Sequence, residues 1–172
     1  MGGAGHLVKR FFESVVPRGP SSADAEWAQA QLLDEEYGVW MRMSRSDRRH
    51  AVRVARRVER ALGAEAVRPV VAAALLHDCG KVVSGLGTYG RVVATLSGKL
   101  AGMETAIAWT ETRGFTRRVG LYLEHPRLGA DLLGVAGSAP LTVAWTAEHH
   151  LPPEEWTVPQ AIGEALKAAD DD

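Results

Sequence analysis

The sequence predicts an all-α, compact multi-helix bundle, and three observations predict it. Apolar residues recur at intervals of three and four, serine cap signals precede those stretches, and glycine or proline stops or restarts them. The chain has 172 residues, 46% of them apolar and 24% charged, which suits one globular domain with a core of its own.

Residues 1–20 read as an N-terminal arm. His6, Lys9 and Arg10 precede Phe11 and Phe12, without the apolar core and small-residue cleavage site of a secretory signal. Pro17, Gly19 and Pro20 break the pattern, and Ser21 and Ser22 then precede Asp24 and Glu26, a capped start to a first long helix toward about Met43. Ser44 and Ser46 open a second helix, in which His50, Val54, Val58 and Ala61 share one face and Arg53, Arg56, Arg57 and Arg60 the opposite one. Gly63 ends it.

Residues 64–76 are mostly alanine, valine and leucine, so that helix is expected to be buried and to deliver His77 and Asp78 at its C-terminal end. Gly80, Gly85, Gly87 and Gly90 then suggest a flexible loop around Lys81 and Tyr89, followed by helical segments over roughly 91–97, 100–112 and 116–124. Pro126 follows His125, which starts a helix carrying Leu128, Leu132 and Leu133 inward. Pro140 opens another toward His149 and His150. After Leu151-Pro152-Pro153, a last helix from about Pro159 aligns Ile162, Leu166 and Asp170 at intervals of four. With no internal repeat, low-complexity tract or linker, residues 21–172 read as a single domain.

A formal net charge of -1 provides no global field to hold nucleic acid and none to repel phosphorylated metabolites. Eight arginines between Arg42 and Arg60 face only Asp47 and Glu59. Such a cluster suits RNA if exposed, but its spacing opposite His50 favours a solvated helix face. The single cysteine, Cys79, excludes an internal disulfide and reads as packing. No stretch approaches the roughly 18 to 20 apolar residues needed to span a bilayer. A cytoplasmic protein without membrane or nucleic-acid partners is the expectation.

Neutral imidazole nitrogen and carboxylate oxygen together suit zinc, manganese and iron, and one carboxylate can bridge two such ions. His50, His77, His125 and His149 or His150 each fall at a helix end or on an apolar-facing stripe, where an unpaired polar group costs stability. A lone histidine in such a place is ordinarily a hydrogen-bonded core residue. Five of them, together with Asp78, point to metal.

The segment Leu75-Leu76-His77-Asp78-Cys79-Gly80-Lys81 resembles the His-Asp-x-Gly-Lys signature of the HD superfamily of metal-dependent phosphohydrolases. The upstream His50, the downstream His125, Glu148-His149-His150 and the closing Ala168-Ala169-Asp170 are similar to that family's other motifs, in order and approximate spacing, over 46–171. The resemblance implies an HD-domain bundle holding divalent ions, two of them, of iron, manganese or another transition metal. By the same resemblance His50, His77, a bridging Asp78 and Asp170 hold one ion, and Asp78, His125 and His149 the other. Asp170 continues the face of Ile162 and Leu166, whereas Asp171 and Asp172 do not. Neighbours on a continuing helix point about 100° apart. That ranks His149, on the Trp145 face, as the direct ligand and His150 as a substrate contact that stays open as a ligand.

The implied reaction is hydrolysis of a small phosphorylated, nucleotide-like substrate by a metal-bridging water. Asp78 and Lys81 are the catalytic candidates, Lys81 contacting the phosphate or protonating the leaving oxygen, with a salt bridge to Asp78 or Glu148 as its structural alternative. Arg91, at the end of the glycine loop, and Arg127, beside His125, are further candidates for the substrate anion. Trp109, Trp145 and Trp156 read as core or as stacking surfaces for a nucleobase. HD-GYP phosphodiesterases continue into Gly-Tyr-Pro where this chain has Leu151-Pro152-Pro153-Glu154-Glu155-Trp156. The glutamate that some of them use for a third metal falls at Ser46, so two ions are expected. Stringent-response nucleotide hydrolases hold a single metal and lack the extra histidines. Two other readings stand beside the hydrolase: a di-iron oxygenase of the inositol-oxygenase type, and a non-catalytic regulatory module that binds metal or nucleotide.

Overall fold

The structure, a computed structural model, describes residues 19–101 and 103–171, and over them the chain is helical with no strand. The arm expected over 1–20 and the solvated role expected of Asp172 lie almost wholly outside the described residues. The all-α expectation holds. Ser21 caps α1 (Ser22–Gln31), its Oγ accepting from Asp24 N at 3.1 Å, and Ser44 caps α3 (Arg45–Leu62) in the same way through Asp47 N. Gly63 stops α3 at a φ of 53°, a conformation open to glycine.

The first long helix is in fact two. Leu32 and Leu33 are extended between α1 and α2 (Asp34–Arg42). The break is held by Glu36, which is buried, accepts the Leu33 N–H at 2.8 Å and faces Arg68 at 3.6 Å. A contact from 32 residues further along the chain lies outside the reach of local cap signals.

The expected helix over 64–76 is shorter, a single 3-10 turn (Gly63–Glu65) followed by α4 (Arg68–Leu76). Residues from Val70 to Leu76 are at most 1% exposed. Helix α4 runs through the core, packed on α3 and on α10 (Pro140–Glu148), while α11 (Gln160–Asp171) lies along α3. Trp40, Leu133, Trp145 and Leu166 complete this core, each fully buried side chain contributing about 1.5–3 kcal/mol. Trp145 meets Trp156 edge-on at 5.4 Å, so core packing is its role. Cys79 is fully buried, and burial with Asp78 beside it pushes its thiol up to about 12, in keeping with a packing residue.

The glycine-rich stretch is more ordered than a flexible loop. It holds the short α5 (Lys81–Ser84), and Gly90 sits inside α6 (Thr88–Ala101). With α7 (Met103–Thr110) and α8 (Gly114–Leu123), α6 surrounds a second small core of Leu86, Ala94 and Val119. The chain then enters α9 (His125–Val135).

The arginine face of α3 is not simply solvated. Arg56 stacks on Trp27, 3.6 Å from the ring centre, and Arg57 donates to the Ala169 carbonyl at 3.1 Å, so these two side chains tie α3 to α1 and α11. Arg91 likewise straps α6 to α3, donating to both oxygens of Asp47 at 2.8 Å and to the Leu86 carbonyl at 3.1 Å. Arg91→Ala is therefore expected to lower unfolding stability by about 1 to 3 kcal/mol in urea denaturation, since hydrogen bonds to a charged partner are lost at a half-buried site. Among the described residues no helix is long and apolar enough to cross a membrane.

Candidate metal centre

Three helix ends aim histidines at one place. His77 is the C-cap of α4, His149 is the C-cap of α10, and His125 follows the C-cap of α8. Helices end with carbonyls that lack an intrahelical N–H, and each ring reaches back three residues to such a group. His77 Nδ1 lies 2.9 Å from the Ala74 carbonyl, His125 Nδ1 2.7 Å from that of Tyr122, and His149 Nδ1 2.9 Å from that of Thr146. A carbonyl can only accept, so Nδ1 carries the proton and the orientation of Nε2 is set.

Asp78 lies among these rings. Its Oδ2 is 3.5 Å from His77 Nε2 and also contacts Lys81 Nζ, while its Oδ1 is 3.4 Å from His125 Nε2 and 3.8 Å from His149 Nε2. Each oxygen thus addresses a different set of rings, which is the disposition a bridging carboxylate needs. Asp170 Oδ1 is 2.8 Å from His50 Nε2 and 3.6 Å from His77 Nε2. Two groups of ligand atoms result, His50 with His77 and Asp78, and His125 with His149 and His150, the atoms of each group within 4.8 Å of one another. All seven candidate metal residues are thereby brought together.

The separation expected of His149 and His150 does not occur. Helix α10 ends at Glu148, so His150 lies in the turn beyond the cap, and the two ring centres are 4.0 Å apart. His150 also lies 5.2 Å from the His125 ring, at the exposed rim of the group. The ~100° rule applies to a helix that continues. We therefore expect His149→Ala, which removes a buried ring, and His150→Ala, which removes an exposed one, both to weaken metal binding by this group. Calorimetric titration should show losses of about 10- to 100-fold or more; wild-type affinity in His150→Ala would return that residue to substrate contact alone.

The charges divide the site. Burial works to lower His77, but Asp78 and Asp170 outweigh it and hold this imidazole up at about 9. Burial opposes ionisation of Asp78 too, yet Lys81 and His77 hold its carboxyl well below the usual range. Asp170 is depressed by its hydrogen bonds to His50 and His77 against the same penalty. Lys81 is held up by Asp78 despite its burial. On the other side loss of solvent dominates: burial lowers His125 and takes His149 well down with His150 adding to it, and at the rim partial desolvation, with His125 beside it, lowers the partly exposed His150 to about 4. A paired ionic cluster stands beside three neutral imidazoles.

Lys81 occupies its structural alternative, the contact to Asp78, with its ammonium 6.0 Å from the centre of the Tyr122 ring. Arg91 is engaged by Asp47, and Arg127 by Glu124 at 2.8 Å and Asp131 at 3.2 Å on an exposed side chain, so both guanidiniums already have carboxylate partners. Sequence reasoning missed Tyr122, whose ring lies 5.6 Å from that of His125 and whose carbonyl orients it. Its one local signal was its position three residues before a histidine at a helix end. It also missed the pair Gly80 and Gly129. A Cβ on Gly80 would collide with the His125 carbonyl oxygen and lie 2.6 Å from Gly129 N; one on Gly129 would lie 2.9 Å from Thr146. At this close approach α9 brings His125 Nε2 to 3.4 Å from Asp78 Oδ1.

The residues fit a divalent cation on an observation independent of motif. His125 Nε2 and His149 Nε2 are buried without any hydrogen-bond partner, and a buried nitrogen lone pair left unpaired is costly unless a cation or water meets it. Compared with known proteins, the chain matches no family model, no curated protein and no solved structure.

Proposed function

We propose that the chain is a metal-dependent phosphohydrolase of the HD type, acting on a small phosphorylated, nucleotide-like substrate. The observation that carries this reading is the set of carbonyl-locked imidazoles whose Nε2 atoms converge on Asp78, two of them buried and unpartnered. The resemblance of His50, His77-Asp78, His125, His149-His150 and Asp170 to the HD motifs supports it from the sequence.

His50, His77, Asp78 and Asp170 would hold one ion, and Asp78, His125, His149 and His150 the second. Divalent ions held there supply Lewis acidity, activating water and neutralising phosphate oxygens. Asp78 turns one oxygen to each group and keeps both in register. Asp170 braces His50 and His77. Lys81, charged and beside Asp78, is the group to meet a phosphate oxygen of the substrate, and His150 at the rim is the imidazole nearest solvent. No protein nucleophile is required.

The test is elemental analysis after loading with manganese, iron or magnesium, followed by a panel of phosphomonoesters, cyclic nucleotides and nucleoside polyphosphates. Two ions per chain with metal-dependent phosphate release is the expected result. At most one ion would remove the two-metal reading. Two ions with no turnover anywhere on the panel would favour the regulatory module, and oxygen consumption with a cyclic polyol would favour the oxygenase.

A further inference from the structure

Helix α8 turns one face toward the short α5. Arg118 and Tyr122 stand one helical turn apart on it, so both side chains project the same way. Arg118 Nε donates to the Ser84 carbonyl at 3.1 Å and its Nη2 to that of Gly85, which satisfies carbonyls at the C-terminal end of α5. The Tyr122 ring reaches the other end, where Lys81, the first residue of α5, holds its ammonium 6.0 Å from the ring centre. The same ring lies 5.6 Å from that of His125 and packs against the second core. Packing accounts for the ring but not for its hydroxyl. Tyr122 is half-buried, yet among the described residues its hydroxyl makes no hydrogen bond, and a phenol in such a place ordinarily has a partner.

We propose, on the phosphohydrolase reading above, that Tyr122 is a substrate-binding residue whose hydroxyl donates to a phosphate oxygen beside the Lys81 ammonium. The side of the centre that solvent reaches carries the chemistry for it. His77, His125 and His149 are buried, whereas Lys81 and Tyr122 are half-buried and His150 is exposed. The Lys81 ammonium has more N–H donors than its one bond to Asp78 occupies. A charged donor and a neutral one thus stand side by side with hydrogen-bonding capacity left over, which is what a phosphate needs from a protein wall. Their contributions differ. An ammonium on a flexible stem attracts the anion and tolerates many directions, while a phenol on a packed ring donates from a fixed place. Lys81 then supplies attraction and Tyr122 orientation, and the Arg118 bonds to the far end of α5 hold the two in register.

The experiment is calorimetric titration of the full chain with inorganic phosphate, in chelator and again after manganese loading, for wild type and Tyr122→Phe. The variant keeps the ring in its packing and removes only the hydroxyl. Its melting temperature and manganese affinity are expected to match wild type, while its phosphate affinity falls about tenfold, as for a lost hydrogen bond to a charged acceptor. Phosphate affinity equal to wild type would overturn the role of Tyr122 and leave the hydrolase reading standing. A drop in melting temperature or manganese affinity would overturn it too, because the hydroxyl would then serve the fold or the ligands. Wild type that binds no phosphate in either state would overturn both. Wild type that takes up no manganese, with phosphate affinity still reduced in Tyr122→Phe, would remove the metal-dependent reading and keep Tyr122 as an anion-binding residue.

Discussion

If the proposed two-metal hydrolase reading is right, Asp78→Ala is expected to abolish metal binding and hydrolysis together, since among the described residues this carboxylate presents oxygens to both groups of ligands. Stability should fall as well. The Lys81 ammonium would lose its carboxylate partner and His77 one of its two, Asp170 remaining, and breaking a buried ionic arrangement from one side costs about 3–5 kcal/mol. Calorimetric metal titration reads the first effect and urea denaturation in chelator the second. Asp78→Asn keeps the shape and removes the charge, so it should retain more of the fold while still failing to bind, which separates lost ligation from lost folding. Asp171→Ala, changing a mostly exposed carboxylate, should stay within about 0.5 kcal/mol of wild type. A shared response from Asp78 and Asp171 variants would sink the bridging assignment.

Gly80→Ala is expected to be nearly as damaging through one methyl group. The added Cβ meets backbone atoms of His125 and Gly129, and backbone cannot rotate aside as a side-chain terminus can. Overpacking of this kind costs typically about 1–3 kcal/mol and sometimes more. The whole of α9 must move to relieve it, so His125 should leave the second group of ligands. Gly87→Ala is the matched control, because a Cβ there meets nothing within 4 Å. If the two variants melt alike and bind metal alike, close approach of the α5 and α9 backbones is not what builds the site.

The same glycine shows where sequence reasoning stopped. Gly80, Gly85, Gly87 and Gly90 look alike in a string, and flexibility is the local reading of such a run. Gly80 has a helical φ of -63° that any residue adopts; it is needed for what stands opposite, 45 to 49 residues later. The break at Leu32 and Leu33 escaped for a similar reason, since Arg68 and Glu36 meet only in three dimensions. By contrast, the helix delivering His77 and Asp78 was readable from its unbroken apolar run, and Asp170 from its spacing after Ile162 and Leu166. The ~100° separation of His149 and His150 holds only on a continuing helix, and α10 stops at Glu148.

The carbonyl locks on His77, His125 and His149 also bear on how an ion would arrive. In small zinc domains the ligands gather only as the metal binds, so affinity and folding are one equilibrium. Here three imidazoles are oriented by carbonyls of their own helices, and Asp78 is held by Lys81. The conformational entropy of assembling the ligands is settled during folding, as preorganisation requires. For the metal-dependent reading proposed above, uptake and release of an ion would then be exchange within a standing scaffold, decoupled from the making or breaking of the fold.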